Sequence, residues 1–138
     1  MSTATHISSA QAVPLIEASG LPVAGLENAV LWGLYEGSAI RAVAGMEKYG
    51  DVALLRSFAT EPSSRGQGLA TALCALVLTE AKREGVREAF LLTETAEDFF
   101  ARRGFQTVPR EKADPRLMAS AEFQEGRCAS AKLMRKEL

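Results

Sequence analysis

The 138 residues carry sixteen basic and seventeen acidic side chains, a formal net charge of -1, so no global field favours nucleic acid or an anionic membrane surface. With 47% hydrophobic and 24% charged residues the composition is that of a globular chain, which argues against disorder and for one domain over residues 1–138. No apolar run approaches the roughly 20 residues of a membrane span, the N-terminus lacks the pattern of a secretory signal, and a lone His6 excludes a histidine-based metal site, so the expectation is a cytoplasmic protein with no metal.

Residues 3–8 read as a short first strand or a frayed tail, since only Ile7 is strongly apolar. Val13, Leu15 and Ile16 predict a helix over Ala10–Ala18, with Pro14 in its first turn and Gly20 ending it. The segment Leu21-Pro22-Val23-Ala24-Gly25-Leu26 reads as a loop or a single turn. Apolar runs Ala29–Tyr35, Ala39–Glu47 and Val52–Thr60, punctuated by Glu36-Gly37-Ser38 and Lys48-Tyr49-Gly50-Asp51, predict an antiparallel meander.

The last of these strands runs into Glu61-Pro62, where proline ends the ladder. A glycine loop follows, and a helix starts near Gly68 with Leu69, Leu73, Leu76 and Val77 on one face and Gly85 after its end. Gly66 and Gly68 remove the Cβ atoms that would keep a ligand off the backbone, and the unpaired N–H groups of the first helical turn suit a diphosphate. The Gly-Lys-Ser/Thr end of a nucleoside-triphosphate loop is missing, and Ala70-Thr71 stand where a dinucleotide fingerprint needs its third glycine.

Further on, Arg87–Thr93 reads as a strand parallel to Val52–Thr60, joined to it by a right-handed crossover. Thr95 and Asp98 are spaced as a capping box for a short helix that Gly104 ends. Phe105–Val108 is a strand, Pro115–Ala121 one turn of helix and Ala129–Met134 a final strand. Cys74, inside a helix, and Cys128, near the C-terminus, read as free thiols.

The run Arg65-Gly66-Gln67-Gly68-Leu69-Ala70 resembles the Arg/Gln-x-x-Gly-x-Gly/Ala signature of the GNAT N-acetyltransferases, and Ala96-Glu97-Asp98-Phe99-Phe100-Ala101-Arg102-Arg103-Gly104-Phe105 resembles their Ala-x-x-Phe-Tyr-x-x-x-Gly-Phe segment. The resemblance implies an α+β fold: a mixed, mostly antiparallel sheet of six or seven strands with helices on both faces, in the order strand, two helices, three strands, helix, strand, helix, two strands. It implies acetyl-CoA as acetyl donor. Backbone groups of Phe58, Ala59 and Thr60 would face the pantetheine arm, and Arg65, Gly66, Gln67, Gly68, Leu69, Ala70 and Thr71 the pyrophosphate, with Thr93, Phe99, Phe100 and Arg103 completing the cofactor set. It also implies that residues 21–26 close over the acceptor, a small-molecule amine.

Phe100 departs from the family pattern, because a phenylalanine has no proton to give a departing thiolate where the family has tyrosine. A weak CoA-binding module or sensor is therefore the alternative to an enzyme. Arg56, on the predicted face of Leu54 and Phe58, pairs with Glu47 or another acid, or grips a carboxylate of the acceptor. Glu47 and Glu94 are the candidate bases, each with solvated surface charge as the plainer reading, and a water relay competes with both. The segments Leu54–Phe58, Pro115–Phe123 and Cys128–Lys136 look like the small acetyltransferase-like proteins found with arsenic-resistance operons, which makes Cys128 either an arsenic-facing substrate residue or a small half-buried thiol. By analogy, the sheet edge and the C-terminal hairpin suggest a homodimer.

Overall fold

The computed structural model describes residues 3–124 and 130–138. Seven strands form one sheet: β1 (Thr3–Ile7), β2 (Val30–Glu36), β3 (Ala39–Tyr49), β4 (Val52–Thr60), β5 (Glu88–Thr93), β6 (Gln106–Val108) and β7 (Lys132–Glu137). Their spatial order is β1-β2-β3-β4-β5-β7-β6, so the last strand inserts between β5 and β6. Only β4 and β5 pair in parallel. The expected mostly antiparallel α+β sheet is present.

Helix α1 (Ser9–Ala18) begins one residue earlier than the apolar spacing predicts because Ser8 and Gln11 form a reciprocal capping box. That start places Pro14 inside the helix rather than in its first turn, on an exposed face. The second helix expected before the meander is a single 3-10 turn, Leu26–Asn28. Helix α2 (Leu69–Arg83) buries Leu69, Leu73, Cys74, Val77 and Ala81. Burying Leu73 and Val77 contributes on the order of 1.5–3 kcal/mol each. Helix α3 (Glu97–Ala101) has Ala96 at its N-cap and no side-chain cap, so the box expected of Thr95 is not formed; Thr93 Oγ1 accepts from Ala96 N at 2.9 Å in the turn before it.

The sheet separates two apolar layers. On one face α2 and Phe100 of α3 pack on Trp32, Ala44, Met46, Ala53, Leu55 and Leu91. On the other, α1 packs on Leu31, Val43 and Ala59, and a 3-10 turn at Pro115–Ala119 sets Leu117 against Leu54, Phe90 and Leu133. The expected single turn over residues 115–121 is two, the second being Ala121–Phe123. No helix among the described residues is long and apolar enough to cross a membrane.

Two irregularities in β4 shape everything that follows. Pairing with β5 stops at Leu55–Leu91, although β4 runs on to Thr60 and β5 to Thr93, so the strands part and leave one edge of β4 without a partner. On the β3 side, Gly45 pairs with Arg56 and Val43 with Ala59, which leaves Ala44 opposite both Ser57 and Phe58. This is a β-bulge, and Ser57 adopts φ 64°, the sole positive φ at a non-glycine among the described residues. Holding a serine there costs about 1–3 kcal/mol.

The bulge overturns the expected facing of Phe58. Strict alternation puts Arg56 and Phe58 on one face; the extra residue turns Phe58 towards Phe100 on the α2 side. Arg56 stays opposite, with Glu47.

Candidate active site

Two cavities meet where β4 and β5 part. The first, about 510 Å³, is lined by residues 58–60, by Arg65, Gly66 and residues 68–71 of the loop and first turn of α2, and by Phe99 and Arg103. Gly68 caps α2 at φ 77° and ψ 14°, and no heavy atom lies within 4 Å of where a Cβ would stand on it or on Gly66. The glycine cradle is open, and the first three N–H groups of α2 have no acceptor within the helix. Arg103 closes the far side: its Nη2–H donates to Thr71 Oγ1 at 2.6 Å, its Nη1–H to Phe99 O at 3.0 Å, and its guanidinium lies 4.0 Å from the Phe99 ring centre. Gln67 is exposed and lines neither cavity.

The second cavity, about 570 Å³, lies deeper between the parted strands. Arg56, Ser57 and Phe58 of β4, Leu91–Thr93 of β5, Glu94 and Phe100 line it, and residues 19–22 border it from the end of α1. Phe100 meets Phe58, Phe99 and Phe105 edge-on at centroid distances of 5.3, 5.0 and 5.7 Å. Its ring therefore packs the floor of the cleft. The Thr93 hydroxyl is engaged by Ala96 N in the turn before α3.

Arg56 does not present a free guanidinium to this cavity. Its Nη1–H groups donate to Glu47 Oε2 at 2.7 Å and Ala24 O at 2.8 Å, its Nη2–H to Pro22 O at 3.1 Å and its Nε–H to Ser57 Oγ at 3.1 Å, with Glu122 Oε2 at 3.4 Å. Its side chain is 0% exposed. The carboxylate grip expected of Arg56 thus gives way to the ion-pair alternative, because fixed oxygens already surround the fork. What Arg56 holds is the loop after α1, through two of its carbonyls.

Glu47, expected as a base, is also committed. It is 1% exposed, lines neither cavity, and accepts from both Arg56 and the Tyr49 hydroxyl. Burial first, and then the bond to Glu47, push the Tyr49 phenol up to about 12, so it remains a donor. Glu94 does line the second cavity, at its exposed rim, where Oε1 accepts from Ser130 Oγ at 2.9 Å. Cys128 lies outside the described residues.

The residue that sequence reasoning missed is Glu122. It sits on the 3-10 turn Ala121–Phe123, capped by Ser120, whose Oγ accepts from Glu122 N at 3.2 Å. Glu122 is 5% exposed and lines the second cavity. Desolvation pushes its carboxyl up to about 7; Arg56 pulls the other way, and Glu47 adds to the rise. An ion pair alone would argue for a lowered value, but one guanidinium cannot compensate two buried carboxylates, and Glu47 holds the shorter contact. No periodicity singles out a glutamate in Ala-Glu-Phe.

This raised value fixes a pH dependence. Between about pH 4.5 and pH 7 the folded state holds more protons on Glu122 than the unfolded chain, so stability falls as pH rises through that window. A shift of this size corresponds to about 3 kcal/mol at most. Glu122→Gln is expected to gain stability relative to the parent on going from pH 5 to pH 8, read from urea midpoints at the two pH values. A constant difference contradicts the assignment.

The acetyltransferase (GNAT) family model matches residues 8–105, from the start of α1 through α3 and the glycine that ends it. The chain belongs to the GNAT family. Its sheet is thus that of the family's N-acetyltransferases, which take the acetyl group from acetyl-CoA. Among solved structures, the N-acetylglutamate synthase of Neisseria gonorrhoeae, complexed with coenzyme A and N-acetyl-glutamate, is 20% identical at a TM-score of 0.79, over 100% of this chain and 35% of that one. The chain thus spans about a third of that synthase. Rv2747 of Mycobacterium tuberculosis, in complex with CoA and NLQ, is 16% identical at 0.79, with 99% of each chain covered. The PaiA N-acetyltransferase of Thermoplasma acidophilum, in complex with coenzyme A, is 12% identical at 0.72, over 100% of this chain and 99% of that one. At such identities the likeness is one of fold. No curated protein matches the sequence.

Proposed function

We propose that this GNAT protein acts as one N-acetyltransferase domain over residues 1–138 and transfers acetyl from acetyl-CoA directly to the primary amine of a small, amino-acid-like molecule, in a ternary complex. The observation that carries the reading is the parting of β4 and β5 beyond Leu55–Leu91, which joins the glycine cradle to a second cavity of about 570 Å³. The free edge of β4 offers backbone groups to an extended arm, and residues 65, 66 and 68–71 offer N–H groups to a diphosphate. Acetyl-CoA supplies the activated acetyl group; the protein holds it, orients the amine against it and keeps the floor of the cleft dry with Phe58 and Phe100.

The size of the second cavity, and its border at residues 19–22, favour a small acceptor over a protein tail. The gonococcal synthase is complexed with N-acetyl-glutamate, an acetylated amino acid, which supports an acceptor of that type here. A link to arsenic or toxin resistance rests on the likeness of residues 54–58, 115–123 and 128–136 to proteins from arsenic-resistance operons, with an amino-acid-like arsenical or phosphinate as the corresponding acceptor. Cytoplasmic location and a homodimer through the sheet edge belong to the same proposal.

Thiol release from acetyl-CoA across a panel of amino acids, amino-acid analogues, polyamines and aryl amines is the direct test, and turnover with an amino-acid-like member is the expected result. The second reading, a CoA-binding module, is favoured by Phe100, which lines the cleft without a proton to give. Tight binding of CoA with no thiol release from any amine would select it.

A further inference from the structure

Acetyl transfer to an amine requires a group that accepts the ammonium proton, and of the three carboxylates around the cleft one is placed for it. Glu47 is sealed between Arg56 and Tyr49 and does not reach the cavity. Glu94 stands at the exposed rim with Ser130. Glu122 lines the cavity wall while almost wholly removed from solvent, on the same cavity as Phe58, Thr93 and Phe100, the residues that the acetyl-transfer reading sets beside the pantetheine arm.

Resting on the acetyl-transfer reading, we infer that Glu122 is the catalytic base of this protein, delivered to the acceptor side of the cleft by the 3-10 turn after β6. The charged and titratable groups facing it are Arg56 from β4, whose Nε is 3.4 Å from Oε2, Glu47 and Tyr49 from β3 behind that arginine, and Glu94 across the cavity. Arg56 is the positioning residue: its guanidinium attracts the Glu122 carboxylate as an ion pair at 3.4 Å while its Nε–H donates to Ser57, and through its Nη1–H and Nη2–H it holds the carbonyls of Ala24 and Pro22, so base and acceptor loop share one anchor. At Gly25 a Cβ would stand 2.9 Å from Ala121 Cβ, so the loop and the turn that carries Glu122 are in direct contact.

The step balances without an added reactant. The Glu122 carboxylate takes one proton from the acceptor ammonium. The freed nitrogen lone pair forms the N–C bond to the thioester carbonyl carbon, the C–S bond breaks with its electron pair on sulfur, and the thiolate takes a second proton from that same nitrogen. One N–H remains in the amide, and Glu122 returns its proton to solvent. This route needs no tyrosine at position 100. The raised proton affinity of Glu122 suits it, because a base that titrates near neutrality accepts a proton from an ammonium more readily than an exposed glutamate does.

The test compares the parent with Glu122→Gln, which keeps the shape of the side chain and removes its basicity. Expected is a kcat/KM that rises with pH up to about 7 in the parent, and in the variant a loss of about 100-fold or more at pH 8 with that limb gone. CoA affinity, by calorimetry, is expected to stay within about threefold, which separates a lost base from a lost fold. In protein free of any ligand, a carboxyl carbon resonance that titrates near neutral pH is expected in the parent and absent from the variant. A limb that survives in Glu122→Gln, CoA affinity lost in step with turnover, or the lack of a near-neutral carboxyl titration overturns the assignment. If the parent itself releases no thiol with any amine while Glu122 titrates as expected, it is the acetyl-transfer reading that fails, and the base assignment with it.

Discussion

Arg56→Met is expected to lower the free energy of unfolding by about 3–5 kcal/mol at pH 8, measured by urea denaturation, because it leaves two buried carboxylates without their counter-ion. Methionine matches the volume of the aliphatic stem, so the loss reports charge and hydrogen bonding rather than a cavity. The deficit is expected to shrink at pH 5, where uptake of a proton removes part of the uncompensated charge; a buried carboxyl with raised proton affinity gives stability that is lost as pH rises. Arg56→Lys keeps the charge but not the fork, and cannot hold Pro22 O and Ala24 O together with Glu47. It is expected to recover more than half of the stability while amide exchange in residues 21–25 quickens. If Arg56→Met unfolds at the parent's urea concentration, the Glu47–Arg56–Glu122 cluster is not the structural unit described. A change in acceptor KM with Arg56→Lys would follow from the loosened loop, so amide exchange, not KM, is the diagnostic measurement.

Gly68→Val is expected to weaken CoA binding by about 30-fold or more. The φ of 77° at this position costs an L-residue about 1–2 kcal/mol, and more for a β-branched one, while each 1.4 kcal/mol is tenfold in affinity. No heavy atom lies within 4 Å of where the new Cβ would stand, so the penalty falls on the backbone shape of the cradle and on the space above it. Either the loop keeps its shape and the valine stands where a diphosphate must sit, or the loop relaxes and its N–H groups turn away. Gly37→Val is the control, since Gly37 has φ 63° and the same open surroundings but lies in the β2–β3 turn, remote from both cavities. It is expected to lose comparable stability, read as a fall in Tm, and to bind CoA as the parent does. Equal weakening by both variants would mean that the glycine loop has no special role in holding the cofactor.

The cofactor side of the molecule is legible in the sequence because its physics is local. Leu69, Leu73 and Val77 recur at helical spacing, Pro62 stops a strand, and Gly66 and Gly68 open a backbone, so the strand, loop and helix of the cofactor cradle follow from about thirty consecutive residues. The second signature around Phe99 and Phe100 adds the partner helix and the family, and with it the sheet. The helix starts that slip are matters of capping: Ser8 and Gln11 start α1 early, and α3 begins after Ala96 without the side-chain cap expected of Thr95.

The acceptor side is not legible, for a different physical reason. The bulge at Ser57 needs a positive φ that a serine does not announce, and it decides that Phe58 faces Phe100, while Arg56 stays on the Glu47 face that alternation predicts. Glu47, Arg56 and Glu122 are separated by 9 and 66 positions in the chain and meet because β3, β4 and the turn after β6 fold onto one face. Burial, the quantity that turns Glu122 from an ordinary glutamate into a group titrating near neutrality, is a property of that packing. Spacing along the chain therefore determined the glycine cradle with its flanking strand and helix, and tertiary contact between distant segments decided which side chains line the deeper cavity.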